Sequence, residues 1–259
     1  MISKAKTKQI RALRLKKHRD ESGLFVGEGP KVVKELLSTF PCSYLAATNE
    51  WLRAHDNLIA GIASVDEVSQ QELEKVSFLD SPQQVIAVFG KTKKQSSPHL
   101  SALLQLPQRE LVLALDCIQD PGNMGTIIRL ANWFGIPMIV CSTDTVDAFS
   151  PKVVQATMGA LTKVDVVYTD LPAYLQKLDE NIMIYGTFLD GQDLYSSELD
   201  SHGVIVMGNE GKGISSMVAN CVNSRLLIPP YPANAQVIES LNVGVATAIV
   251  CAEFRRQSR

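Results

Sequence analysis

The sequence has no apolar run able to span a bilayer; its longest, Leu111–Leu115 and Val243–Ala252, are too short or too interrupted. Its five cysteines (Cys42, Cys117, Cys141, Cys221 and Cys251) are scattered, with no Cys-x-x-Cys and no nearby histidine pair. That spacing argues against a zinc site or a disulfide framework and fits buried free thiols in a reducing compartment. The chain starts Met-Ile-Ser-Lys-Ala-Lys, basic but with no apolar stretch behind it, so no signal peptide is expected. A cytoplasmic protein with no metal and no membrane attachment is the expectation. Neither sign of charge dominates: 25 Lys and Arg against 27 Asp and Glu leave a net charge of −2, which argues against non-specific coating of nucleic acid. Two glycine signatures are also missing. No Gly-x-Gly-x-x-Gly follows the apolar stretch Leu111–Asp116. Gly208-Asn-Glu-Gly-Lys-Gly213 has the wrong spacing for a phosphate loop and lacks its Lys-Ser/Thr pair. Dinucleotide and nucleoside triphosphate cofactors both lose support.

What is present is an ordinary globular balance, 46% apolar and 20% charged over 259 residues, enough for two domains. Residues 3–18 read as a basic helix with Ile10, Leu13 and Ala5 on its apolar side. The cations Lys8, Arg11, Arg14, Lys16, Lys17 and Arg19 have no acid among them, a density suited to neutralising RNA phosphates as well as to a solvated face. Gly23–Gly29 reads as a strand, Pro30 opens a helix, and Tyr44–Ala47 and Val85–Gly90 read as strands in a small α/β domain. The stretch from Lys91 to Gln108 is polar and proline-interrupted, which suggests a linker and divides the chain into residues 1–100 and 101–259. Beyond it, apolar strands alternate with helices: strands at Leu111–Asp116, Pro137–Cys141, Val164–Tyr168, Ile182–Leu189, Val204–Met207 and Arg225–Ile228, with helices at Thr126–Phe134, Pro151–Ala160, Leu171–Leu178 and Asn242–Arg255. Continuous apolar strands between helices imply a parallel sheet covered on both faces. Trp133, Phe134 and Tyr168 read as packing residues.

Three segments stand out at the ends of apolar runs: Asp116-Cys-Ile-Gln-Asp-Pro-Gly-Asn-Met-Gly-Thr-Ile-Ile-Arg129, Gly208-Asn-Glu-Gly-Lys-Gly213 and Glu239-Ser-Leu-Asn-Val243. In this order they resemble the signature of SpoU-type (TrmH-like) RNA 2′-O-ribose methyltransferases of the SPOUT superfamily, over roughly Gln108 to Arg256. The resemblance implies a parallel-sheet domain with a deep C-terminal trefoil knot, an exception to un-knotted topology. It further implies an S-adenosylmethionine site and a homodimer whose active site uses both subunits. Asn123, Arg129, Glu210, Ser240 and Asn242 are then the candidate catalytic residues, and Thr187, Gly208, Gly211, Ile228 and Leu241 the candidate cofactor contacts. By the family's pattern Arg129 activates the ribose hydroxyl. A guanidinium is a poor base, so it would equally well clamp a phosphate and stabilise a developing alkoxide. Glu210 would orient Arg129 or a neighbouring polar group. Asn123 would cap the helix near Thr126, hold the loop, or do both. Ser240 and Asn242 would line the site or begin the last helix.

One departure stands in the third segment. The family runs Ile-Pro-Met-x-Gly shortly before Ser-Leu-Asn, whereas Ile228-Pro-Pro-Tyr-Pro-Ala-Asn-Ala-Gln-Val-Ile-Glu-Ser240 is longer and lacks that glycine. The first domain has its own likeness: Ile10-Arg-x-Leu13, Lys16-Lys17-x-Arg19 and Gly23-Leu-Phe-Val-Gly-Glu28 resemble the small L30e-like RNA-substrate-binding domain found before many SpoU-type catalytic domains. These likenesses lead to an S-adenosylmethionine-dependent ribose methyltransferase acting on large-subunit rRNA. A tRNA enzyme and a catalytically idle RNA-binding or ribosome-assembly protein on the same scaffold are the alternatives.

Overall fold

The computed structural model describes residues 2–91, 100–232 and 240–258. Residues 92–99 of the expected linker and residues 233–239 of the longer loop before Ser240 lie outside the described residues. The chain separates into two compact units: Met1–Ser97 with Asp147–Thr162, and Pro98–Val146 with Lys163–Arg259. The first unit thus takes in a stretch from the middle of the second half, beyond the single boundary expected at about residue 100.

The first unit is built on a four-stranded sheet in the order β1-β4-β2-β3, where β1 is Leu24–Glu28, β2 Cys42–Ala47, β3 Val65–Glu67 and β4 Val85–Gly90. Strand β4 runs antiparallel to both β1 and β2, and β3 lies parallel to β2. Alternation along β1 sends Val26 into a cluster with Ile10, Leu13, Tyr44, Ile86 and Val88. Phe25 instead meets Phe40, Phe89 and Phe149 at ring-centroid distances of 5.0, 5.6 and 4.9 Å. Phe149 is one reason residues 147–162 group with this unit; aromatic pairs of this kind contribute about 0.5–1.5 kcal/mol each beyond their area.

The expected basic helix is interrupted. It runs as Lys4–Ala12 and Lys16–Ser22, the second ending at Gly23 in the left-handed conformation (φ 67°) that glycine adopts without strain. Arg19 accounts for the break. Its Nη1 donates to the carbonyls of Leu13 (2.7 Å) and Arg14 (2.9 Å), groups freed where the first helix stops. Its Nε and Nη2 donate to Asp147 Oδ2 at 2.8 and 2.7 Å. Arg19 is only 2% exposed, so the expectation that it contacts RNA is corrected: its charge is committed to a buried carboxylate. Lys8, Arg11, Arg14, Lys16 and Lys17 are all exposed, whereas Ala5, expected on the apolar side, faces solvent.

Glu28 closes β1 as a buried carboxylate, accepting from the Ser77 hydroxyl and from the Phe78 N–H at 3.0 Å. Burial pushes its pKa above the ordinary 4.5, outweighing the lowering effect of those hydrogen bonds. A raised folded-state pKa contributes stability that is complete below the unfolded value and is lost as pH rises through the raised one. Glu28→Gln should therefore flatten the dependence of stability on pH from 4.5 upward, read from urea midpoints across that range. An unchanged slope would mean that Glu28 is not the titrating group.

The second unit holds a six-stranded sheet in the order β10-β8-β9-β5-β6-β7, with every neighbouring pair parallel. Its strands are β5 (Leu111–Leu115), β6 (Met138–Ser142), β7 (Asp165–Thr169), β8 (Ile184–Asp193), β9 (Gly203–Met207) and β10 (Ser224–Leu227). All residues of β5, β6 and β9 are buried, as their unbroken apolar runs require in a sheet covered on both faces. The chain lays β5, β6 and β7 outward on one side, then returns to place β9, β8 and β10 on the other. The order therefore reverses between β5 and β9, and a crevice beyond the carboxyl ends of the strands at such a reversal is where open α/β sheets bind ligands.

Candidate active site

The loop after β5 enters its helix earlier than the sequence suggests. Pro121 occupies the first helical turn of Pro121–Trp133, and the Asp120 side chain caps it by accepting from the Asn123 N–H at 2.7 Å. Asn123 is therefore not the cap; it lies in the first turn with its side chain available for other work. Across the sheet reversal, the loop after β9 folds back on itself. The N–H and C=O of Asn209 pair with those of Gly213, both at 2.9 Å. Gly208 is required here, because a Cβ would fall 2.3 Å from Gly213 C and Ile214 N.

This fold-back delivers Glu210 to the first loop. Its carboxylate accepts from Asn123 Nδ2 at 3.0 Å and more distantly from the Gln119 and Asp120 N–H groups at 3.4 and 3.3 Å. Asn123 Oδ1 in turn accepts from Asn242 Nδ2 at 2.9 Å. Asn242 Oδ1 accepts from the Gly244 and Val245 N–H groups (2.9 and 3.2 Å), capping the helix Val243–Gln257. The amide orientations follow from the two ends of this chain. A carboxylate only accepts and helix N-terminal N–H groups only donate, so Asn123 must turn its NH2 to Glu210 and its oxygen to Asn242. One hydrogen-bonded line thus joins all three sequence segments, and it starts and finishes at the N-termini of two helices whose dipoles favour negative charge there.

Removing one link has a definite cost. Asn242→Ala should lower stability by about 1 kcal/mol through the lost cap, measured by denaturant unfolding. An unchanged midpoint would mean that another group caps this helix.

The remaining candidates occupy less connected positions. Arg129 is the ninth residue of its helix, more than two turns in, and its side chain is exposed. Among the described residues it makes no hydrogen bond or ion pair, and Glu210 bonds Asn123 instead of orienting it. Ser240 is exposed at the approach to the last helix. Thr187, Gly208 and Ile228 lie at the carboxyl side of three adjacent strands: Thr187 follows the last β8–β9 pair, and Gly208 and Ile228 follow β9 and β10 directly. Thr187 Oγ1 lies 4.0 Å from Met207 Sδ. Strand β8 jumps register against β10 between Gly186 and Gln192, which takes residues 187–191 out of that ladder. Ile228 is half-buried and Leu241 is 51% exposed. The adjacent strand ends at Thr187, Gly208 and Ile228 offer backbone groups to the polar edge of a ligand. The Gly211 N–H donates to Asn209 Oδ1 at 3.0 Å.

Sequence reasoning missed two features of this site. Cys117 sits in the left-handed region (φ 58°) between the two loops, where its N–H donates to Ser142 Oγ at 2.8 Å. Burial, with Asp144 and Asp116 nearby, pushes its thiol pKa up and keeps it a weak nucleophile. Trp133, expected to pack, is 83% exposed, whereas Phe134 is half-buried and Tyr168 donates to the Val146 carbonyl at 2.6 Å. Among the described residues no helix is long and apolar enough to cross a membrane, and no group of three or more His, Cys, Asp and Glu side chains is placed to hold a metal ion.

A polar network at the reversal point of an all-parallel sheet defines an α/β domain of the SPOUT methyltransferase type. The chain belongs to the SpoU rRNA Methylase family, which residues 110–252 match; residues 4–87 match the MRM3-like substrate binding domain. It is 30% identical to the 23S rRNA (guanosine(2553)-2′-O)-methyltransferase RlmP of Bacillus subtilis, over 96% of each chain. A solved TrmH-family structure from Porphyromonas gingivalis is 38% identical over 99% of both chains, with a TM-score of 0.83. An AdoMet-bound rRNA methyltransferase from Sinorhizobium meliloti is 30% identical, covers 99% of this chain and 97% of its own, and superposes with a TM-score of 0.83.

Proposed function

We propose that this protein methylates the 2′-hydroxyl of a ribose in structured RNA, specifically large-subunit rRNA, using S-adenosylmethionine. The observation that carries this reading is the line Glu210–Asn123–Asn242, which joins three separate segments at the sheet reversal of a SpoU-family domain. Bound at the carboxyl ends of β8, β9 and β10, S-adenosylmethionine supplies an electrophilic methyl group. Backbone groups around Gly208 and Gly211 read its polar edge, while Thr187, Ile228 and Leu241 cover its faces. The chain's own residues then have three tasks. Glu210 fixes the first loop through Asn123, and Asn242 ties that loop to the last helix. Arg129, exposed and without a described partner, grips an RNA phosphate bidentately and stabilises the negative charge that grows on the hydroxyl oxygen. Ser240 hydrogen-bonds the substrate beside them.

The substrate RNA is gripped first by the other half of the chain. Lys8, Arg11, Arg14, Lys16 and Lys17 neutralise its phosphates, so residues 1–100 serve as the RNA-binding domain and 101–259 as the catalytic one. The match to a substrate binding domain over residues 4–87 supports this division. The molecule is a cytoplasmic homodimer, and its catalytic chain is threaded as a trefoil knot. The dimer reading rests on two packed helices whose outer sides carry Trp133, 83% exposed, and Val245, 50% exposed. A sedimentation coefficient of a monomer at micromolar concentration would remove it. Parallel transfer assays on unmodified large-subunit rRNA and on tRNA test the substrate: label in rRNA alone is expected, and label in tRNA alone would overturn the assignment to the ribosome.

A further inference from the structure

We infer that Asn209 is a positioning residue for the Glu210 carboxylate, setting it through a direct tie to the loop after β5. This inference rests on the proposed methyl transfer for its kinetic consequences but not for its geometry. Asn209 uses all of its polar groups. Its backbone closes the fold-back with Gly213, and its Oδ1 accepts from the Gly211 and Lys212 N–H groups, both at 3.0 Å. Its Nδ2 leaves the turn altogether and donates to the Cys117 carbonyl at 2.7 Å. Cys117 is two residues before Gln119, whose N–H points at Glu210.

The two contacts do different things. The Oδ1 bonds fold the turn that carries Glu210, and a side chain lacking that acceptor would leave two N–H groups without their partner. The Nδ2 bond ties the two loops together on the Glu210 side, beside the Ser215 N–H donated to Asp116 Oδ2 at 2.7 Å. The Glu210 carboxylate reaches the Gln119 and Asp120 N–H groups only at 3.4 and 3.3 Å, near the limit of a useful hydrogen bond. A small drift between the loops would therefore release both, leaving Glu210 attached through Asn123 alone. The Cys117 carbonyl is aimed by an unusual backbone, φ 58°, with its own N–H fixed on Ser142 Oγ. A non-glycine residue is held in that region only where its surroundings over-determine it, and the Asn209 tie is one of those contacts.

The test compares Asn209→Ala, Asn209→Asp, Glu210→Gln and the Asn209→Ala/Glu210→Gln double variant in the full-length protein. Asn209→Asp keeps the acceptor for Gly211 and Lys212 but sets an oxygen against the Cys117 carbonyl, so it cuts the tie while leaving the turn. Both Asn209 variants should lose kcat on the order of 10²-fold, with KM for RNA within about twofold, as expected when positioning and not binding is lost. The double variant should be no slower than Glu210→Gln, because Asn209 acts through that residue. Amide hydrogen exchange gives a readout independent of activity: the Gln119 and Asp120 N–H groups should exchange faster in both Asn209 variants, while β5 and β9 stay protected. Wild-type kcat in Asn209→Asp, additive losses in the double variant, or unchanged exchange at Gln119 and Asp120 would each overturn the inference. Faster exchange at those amides, in a protein whose wild type methylates no RNA, would uphold the positioning and remove the methyl-transfer reading instead.

Discussion

Replacing Arg129 by alanine should reduce methyl transfer by about 10²–10³-fold, the loss found when one preorganised donor to a developing oxyanion is removed. The folded protein should hardly notice. Arg129 is exposed and has no partner among the described residues, and exposed substitutions of this kind usually change stability by less than about 0.5 kcal/mol. Arg129→Lys should recover only part of the rate, because an ammonium cannot reproduce a planar two-point grip on phosphate. The comparison with Asn123 sharpens the point. Asn123→Ala would disconnect Glu210 from Asn242 and so loosen structure and rate together, whereas Arg129→Ala should separate them. Steady-state transfer rates beside unfolding midpoints test this. A variant that unfolds early, or that transfers at the wild-type rate, would place Arg129 outside the chemistry.

The largest effect on stability is expected at Asp147. Asp147→Ala leaves the Arg19 guanidinium buried without its counter-charge, and breaking a buried ion pair from one side costs about 3–5 kcal/mol. Solvent cannot rescue it, since the two side chains are 3% and 8% exposed. Adding Arg19→Met should recover much of the loss, because a buried pair replaced by apolar groups is often close to neutral. Recovery should be incomplete: Arg19 also serves the Leu13 and Arg14 carbonyls, and each orphaned group costs about 1–3 kcal/mol. Equilibrium unfolding of the two single variants and the double one reads these terms. The same substitutions should weaken RNA binding, because the turn between the two basic helices, which carries Arg14, loses its anchor. Full stability in Asp147→Ala would mean that the pair does not hold this unit together.

Arg129 and Arg19 differ in how much of their setting the sequence carries. Arg129 could be singled out because its meaning is local, six residues beyond Asn123 in a segment that also ends a strand. Arg19 sits in a run of cations that looks like one solvated face. Its partner lies 128 positions away, a separation that no window on the chain detects. The sheet of the second unit was legible almost strand by strand, since β5, β6 and β9 are buried on both faces and keep unbroken apolar runs. Strand β8 is less so, because it leaves the β9 ladder after Gly186 and meets β10 again only at Gln192 and Asp193. The helix starts at Pro121, ahead of the expected Thr126; Asp120-Pro-Gly has the composition of a turn. The same residues serve equally as a cap and a first helical position. Trp133 departs from its expected packing role for the opposite reason: its apolar character is real, but its ring is uncovered among the described residues.

The site followed the same division. Asn123, Glu210 and Asn242 were chosen from three distant segments, and the structure brings them into one line of hydrogen bonds. The roles within that line were not legible. Glu210 meets Asn123 and two backbone N–H groups instead of Arg129, and Asn209 binds the loops together through its side-chain amide. Side-chain amides act according to what lies at each end of them, which is a property of the folded loop.

The central claim is that the reacting atom is a ribose oxygen. Its most direct test is to transfer labelled methyl from S-adenosylmethionine to unmodified large-subunit rRNA, then hydrolyse the RNA with alkali. A 2′-O-methyl group blocks cleavage of the adjacent phosphodiester, so the label should be found in an alkali-resistant dinucleotide and be absent with Arg129→Ala. Label released in mononucleotides would place the methyl group on a base and contradict the account.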